Sequence, residues 1–240
     1  MPRVQSHPGP YVRVRAVTRA GDTAGRSAPA RGWSAPSNEA TTLILVRHGV
    51  TGLTERKAFS GSGGEDPELT AAGHEQAVRA ADWLAARGEV DAVVTSPLRR
   101  TRQTAEHVAG RFGVRALVED DLMETSFGDW DGFTFGEIRE RWPEELTAWL
   151  ASTDIAPPGG ESFEEVATRV ERARERLVSR FAGQTVVVVT HVSPIKLLVA
   201  RALGAPIRSV YAMELAPASI STVAWWRDGN ASLRAFNAVP

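Results

Sequence analysis

Two histidines each follow a short apolar run that stops abruptly. Leu43-Ile44-Leu45-Val46 runs into Arg47-His48-Gly49, and Thr185-Val186-Val187-Val188-Val189-Thr190 runs into His191. A third run, Val90 to Thr95, stops at Ser96, with Arg99, Arg100 and Arg102 close behind. Glu124 stands in a later stretch crowded with glycine and tryptophan. These side-chain types suit phosphoryl chemistry. Guanidinium forks bind phosphate bidentately and stay charged. A neutral imidazole can attack phosphorus and carry the phosphoryl group, and nearby cations favour the neutral ring. A carboxylic acid can protonate a leaving oxygen and then draw a proton from water. A helix starting after Ser96 would add free N–H donors for an anion. Together these groups would support a two-step transfer through phosphohistidine.

Such a site exists only if the fold brings the segments together. The apolar runs read as buried strands, and the strand over 90–96 is followed by Pro97 in the first turn of a helix that ends at Gly113. Helices are expected from Thr70 to about Gly88, from Phe135 to Trp142, from Pro143 to about Leu150, from Phe163 to Phe181 and from Pro194 to Leu203, with a third strand over Val114 to Val118. A closing hairpin is expected from Ile220 to Trp226 and Ser232 to Phe236 through Asp228-Gly229-Asn230. Strands alternating with helices imply a three-layer α/β/α sandwich with a mostly parallel central sheet. Parallel strands share one C-terminal edge, where ligands of open α/β sheets bind, and His48, His191 and Ser96 would meet there.

The plain alternatives are weaker. A lone histidine at a strand end is more often structural, but two at matched ends beside arginines are hard to dismiss. A zinc site would need ligand spacings such as His-x-x-x-His, which do not occur, and a cation-rich pocket repels a metal ion. His74, His107, Trp130, Trp142 and Trp149 read as ordinary helix-surface, wall or core residues. The chain of 240 residues has a formal net charge of −1 and no cysteine, which excludes disulfides and gives no global field for nucleic acid or membrane. No apolar run reaches membrane-spanning length, so a cytoplasmic location is the default. Residues 1–40 are rich in Pro, Gly, Ser, Ala and Arg without periodicity and read as a disordered tail or linker; residues 41–240 read as one domain.

In this order the motifs resemble the histidine phosphatase superfamily, which includes phosphoglycerate mutases, acid phosphatases and ribazole phosphatases. Arg47-His48-Gly49 resembles the signature whose histidine is phosphorylated, and Ser96-Pro97-Leu98-Arg99-Arg100-Thr101 the second motif, which selects Arg100 for phosphate. Leu122-Met123-Glu124 before Phe127-Gly128-Asp129-Trp130-Asp131-Gly132 is similar to the acid motif and selects Glu124 as proton donor. Pro158-Gly159-Gly160-Glu161-Ser162 resembles a family loop, and Thr190-His191-Val192 the second-histidine motif. The resemblance implies a phosphoglycerate mutase-like fold. It further implies a phosphomonoesterase of acid-phosphatase type that hydrolyses a small phosphate ester, with His48, Glu124 and His191 as catalytic residues and Arg47 and Arg100 as phosphate ligands. Thr51 and Ser60 are weaker candidates for further phosphate or substrate contacts. No metal or organic cofactor is implied. Thr54 stands where family members often have asparagine, and Val192-Ser193-Pro194 replaces the glycines of many mutases, which argues against a mutase. The rival readings are a phosphoglycerate mutase, an α-ribazole phosphatase and a non-catalytic phospho-ligand module. The resemblance is strongest to the C-terminal acid phosphatase domain of bifunctional ribonuclease H/acid phosphatase proteins, which implies a missing ribonuclease H partner and a linker remnant over residues 1–40. A homo-oligomer is compatible with all of this.

Overall fold

The computed structural model describes residues 40–240. The tail or linker expected over residues 1–40 therefore lies outside the described residues, apart from Ala40.

A six-stranded sheet carries the structure. Its strands are β1 (Thr41–Arg47), β2 (Ala92–Thr95), β3 (Ala116–Val118), β4 (Thr185–Thr190), β5 (Ile220–Trp225) and β6 (Ala231–Ala238), in the order β3-β2-β4-β1-β5-β6. The first four are mutually parallel, β5 runs antiparallel to β1, and β6 runs antiparallel to β5. β4 sits near the centre, and alternate valines serve opposite faces. Val186 and Val188 join one apolar cluster, and Val187 and Val189 join the other.

Helices cover both faces, which makes three layers. α2 (Ala71–Ala85) and α3 (Arg99–Phe112) cover one, presenting Ala77, Ala80, Ala81, Leu84, Ala105 and Val108. α5 (Pro143–Ala151), α6 (Phe163–Arg180) and α7 (Val192–Leu203) cover the other, with α4 (Phe135–Arg141) beside α5. α6 opens on a capping box in which Ser162 and Glu165 satisfy each other's backbone N–H groups, and α4 repeats the device with Thr134 and Glu137. α3 and α7 stop at left-handed Gly113 and Gly204.

The expected order of strands and helices is present, with boundary shifts. The third strand is shorter than expected, at Ala116–Val118. Pro97 precedes α3 instead of opening it, because extended Leu98 is the N-cap. The short helix α1 (Gly52–Glu55) was not anticipated, since four residues give no periodicity to read.

Two pairs of glycines bring distant chain segments into direct backbone contact. A Cβ on Gly49 would overlap the carbonyl of Gly73, and one on Gly73 would overlap the carbonyl of Val50. Likewise, a Cβ on Gly128 would overlap the carbonyl of Pro158, and one on Gly160 that of Ser126. The first pair seats the His48 loop on the start of α2. The second joins the segment after Glu124 to the loop before α6.

Candidate active site

Three neighbouring strands of the sheet end in Ser96, His191 and His48. The ladder continues one residue past the strands: the N–H of His48 donates to the Thr190 carbonyl at 3.0 Å, and that of Ser96 to the Val189 carbonyl at 3.0 Å. His191 therefore stands between the other two. Its ring centroid is 5.2 Å from that of His48, and its Nε2 is 2.8 Å from Ser96 Oγ.

The two imidazoles are held differently. His48 Nδ1 lies 2.7 Å from the Gly49 carbonyl, an acceptor only, so Nδ1 carries the proton and Nε2 keeps its lone pair. Burial, followed by Arg100 and Arg47, pushes His48 well below the ordinary histidine range. Burial and Arg100 do the same to His191. Both rings are held in the neutral form, and His48 keeps a free lone pair on Nε2. We assign the Ser96 hydroxyl as the donor to His191 Nε2, which leaves the proton of that neutral ring on Nδ1, an atom without a protein partner.

The guanidinium groups complete the set. Arg100 is fully buried; its Nη2 donates to the carbonyls of Ser60 and Gly61 at 2.9 and 3.1 Å. Arg100 Nε and Nη1 have no hydrogen-bond partner, although Nη1 lies 3.5 Å from Asp66. Arg47 donates to the Leu215 carbonyl through Nη1, and its buried Nε has no partner. Burial and Arg100 draw Arg47 down, against Glu124, to about 10, so it remains charged at neutral pH. Unpaired buried donors are rare and cost on the order of 1–3 kcal/mol each. Here several belong to the residues around His48, an arrangement that one oxyanion with several acceptor oxygens would satisfy.

Glu124 lines the same cavity as His48 and Arg47. Its carboxyl accepts from the N–H of Thr125 at 2.9 Å, Val192 at 3.0 Å and Ser193 at 3.2 Å, at the start of α7. Arg169, from α6, clamps the preceding backbone. It donates to the carbonyls of Asp121, Met123 and Glu124 and to both oxygens of Glu161. That role was not read from the sequence, where Arg169 is one of several charged residues on a long helix.

The fold thus gathers Arg47, His48, Arg100, Glu124 and His191. Ser60 also lines the cavity, with a buried hydroxyl that lacks a partner. Thr51 does not line it; its side chain caps α1 by accepting from the Thr54 N–H at 3.2 Å. The expected anion site at the start of α3 is also corrected. The Arg99 N–H is taken by both carboxylate oxygens of Asp66 at 3.0 Å, so a side chain of the chain itself answers that helix end. Arg99 and Arg102 are exposed. Trp130 is fully buried core, Trp149 is both core and cavity wall, and His74 and His107 hydrogen-bond each other at 3.0 Å across α2 and α3. Among the described residues no cluster of three His, Cys, Asp or Glu could hold a metal ion, and no helix is long and apolar enough to cross a membrane.

Known proteins resemble this chain in sequence and fold. The model of the histidine phosphatase superfamily (branch 1) matches residues 43–238. A protein of Mycobacterium tuberculosis named as a bifunctional protein is 45% identical over 206 residues, covering 86% of this chain and 56% of that one. The chain thus spans little more than half the length of that relative. A 2,3-bisphosphoglycerate-dependent phosphoglycerate mutase of Methylorubrum extorquens is 33% identical over 184 residues, covering 72% and 84% of the two chains. The solved mycobacterial glucosyl-3-phosphoglycerate phosphatase superposes with a TM-score of 0.73 at 31% identity, covering 83% of this chain and 99% of that one.

Proposed function

The chain belongs to the histidine phosphatase superfamily, and from that premise we propose that it is a phosphatase, hydrolysing phosphate monoesters through a phosphohistidine on His48. The observation that carries the proposal is the orientation of His48. Its Nδ1 proton is tied to the Gly49 carbonyl, so the lone pair of a buried, neutral ring is left on Nε2 beside unpaired arginine and histidine donors.

In the first step Nε2 of His48 attacks phosphorus and the bond to the ester oxygen breaks. Arg47, Arg100 and the Nδ1–H of His191 hold the phosphoryl oxygens as charge builds on them. Glu124 gives a proton to the departing oxygen. In the second step Glu124 takes a proton from water, the hydroxide attacks phosphorus, the N–P bond breaks and His48 returns to its neutral state. Ser60 is placed to add a hydroxyl donor. No residue in this scheme requires a metal or organic cofactor.

Hydrolysis is favoured over mutase transfer by the chain after the second histidine, where Val192-Ser193-Pro194 begins a helix directly. On the same reading, the ribonuclease H partner that the sequence resemblance implies is a separate domain, outside the matched residues 43–238.

The test is acid-free trapping of labelled phosphoenzyme with an aryl phosphate. Label on His48, absent from His48→Ala, is the expected result. A His48→Ala protein that turns over at the native rate would remove the nucleophile assignment. Glu124→Gln should slow esters with basic leaving groups more than those with acidic ones; equal losses would remove the acid role.

A further inference from the structure

The cavity that begins at His48 extends well past the room a phosphoryl group needs. Its volume is about 740 Å³, within the range that accepts a drug-sized molecule. Away from Arg47, His48 and Glu124, rings dominate its wall: Phe59, Phe127, Phe135, Trp149, Phe163 and Tyr211. These rings brace one another. Centroids are 4.7 Å apart for Phe59 and Phe127, 5.4 Å for Trp149 and Phe163, and 5.5 Å for Trp149 and Tyr211. The Tyr211 hydroxyl donates to the Trp149 carbonyl at 2.8 Å, so its polar end is engaged within the wall.

A hydroxyl-rich alcohol would lose water against such a surface and find few acceptors or donors in return. An apolar alcohol would gain from burial. The charged exceptions are Lys57, Lys196 and Glu55. Lys196 is committed to the Val210 carbonyl at 2.9 Å and Glu55 sets one negative charge against the two lysines, so no cluster of free donors like that around His48 recurs along the wall.

Building on the phosphatase reading above, we propose that the preferred substrates are phosphate monoesters of apolar alcohols, aromatic or long-chain aliphatic, whose leaving group lies along this ring wall. The short end of the cavity does the chemistry and the long end selects the ester.

The experiment measures kcat/KM for n-alkyl phosphates from ethyl to octyl, with 3-phosphoglycerate and phosphoserine alongside. The alkyl leaving groups are nearly equal in basicity, so differences report binding to the wall. The expected result is a rise of roughly two- to fourfold per added methylene until the wall is filled. Phe135, 43% exposed, can be changed without opening the core. Phe135→Ser should cut the octyl-to-ethyl ratio by about fivefold or more, in line with the area lost. A flat series, or preference for 3-phosphoglycerate or phosphoserine, would overturn the proposal. Calorimetry of the same esters with His48→Ala keeps binding apart from chemistry. Affinity that climbs with chain length there, while the native enzyme forms no phosphohistidine, would sink the mechanism and sustain the wall. Phosphohistidine from every ester with no chain-length gradient would sink the wall alone.

Discussion

Arg169→Met tests whether the acid is placed by a clamp behind it. The arginine makes five hydrogen bonds, three to the carbonyls of Asp121, Met123 and Glu124 and two to Glu161. Its side chain is 10% exposed and that of Glu161 is 30% exposed. Methionine has similar reach but no donor. It would leave three carbonyls and one carboxylate without their partner, in a place where water replaces only part of the loss. Removing one member of a buried pair costs about 3–5 kcal/mol. Partial exposure of Glu161 puts the expectation at the low end, about 3 kcal/mol, which for a domain of this size lowers Tm by roughly 6–12 °C. The segment bearing Glu124 should loosen as well, and a misplacement of the order of 1 Å costs about a hundredfold in rate. The assays are calorimetric melting and kcat on aryl phosphates of graded leaving-group basicity. The loss should grow with basicity, since the displaced group is the acid, and Arg169→Lys should recover only part of it because an ammonium has no fork. A Tm within 2 °C of the native value together with kcat within about twofold would refute the clamp, given the several kcal/mol expected of it.

Ser96→Ala should release the His191 tautomer, weakening inorganic phosphate binding by about tenfold, as loss of an outer partner does at ligand sites. Ring ¹⁵N shifts should show protonation spread over both nitrogens, and unchanged phosphate affinity would contradict the assignment. Stability should fall below about pH 6.5, where unfolded histidine takes up protons that His48 and His191 refuse in the folded state. The two rings together should cost about 0.7 kcal/mol from pH 7.5 to 6.5 and about 2 kcal/mol from pH 6.5 to 5.5, read from urea midpoints at those three pH values. His107, lowered in the same sense, is removed as a contributor by His107→Gln, and constant stability across that window would show that both rings charge in the fold, while half the expected loss would show that one does. Thr51→Ala should cost about 1 kcal/mol through loss of the α1 cap while changing KM less than Ser60→Ala does; the opposite ranking of KM would return Thr51 to the substrate.

The strand ends were legible because chemistry interrupts hydrophobicity there. An arginine, a histidine or a serine at the end of a valine-rich run is visible without coordinates, and parallel topology fixes which edge they share. The partners of those residues were not legible. Ser96 could be seen as a strand end but not as the hydroxyl that sets His191, because their contact spans 95 residues. Arg169 sits among many charges on α6, and only three-dimensional proximity distinguishes it from exposed Arg172. The α3 start looked available to an anion until Asp66, from a loop of no regular pattern, was found to occupy it. The ring wall was hidden for a similar reason. Its members come from segments as far apart as Phe59 and Tyr211, and no spacing in the chain links them.

The paired glycines at 49/73 and 128/160 carry a lesson for anyone who would remodel the enzyme. Each junction has no clearance, so the proposed nucleophile and acid are registered to the scaffold by bare backbone and not by side-chain packing. Specificity can therefore drift by exchanging residues of α4 and α5 while the reacting atoms keep their coordinates. A library meant to retarget the protein should randomise the exposed wall residues Phe135 and Leu150, spare the rings that are also core, and leave those four achiral positions untouched.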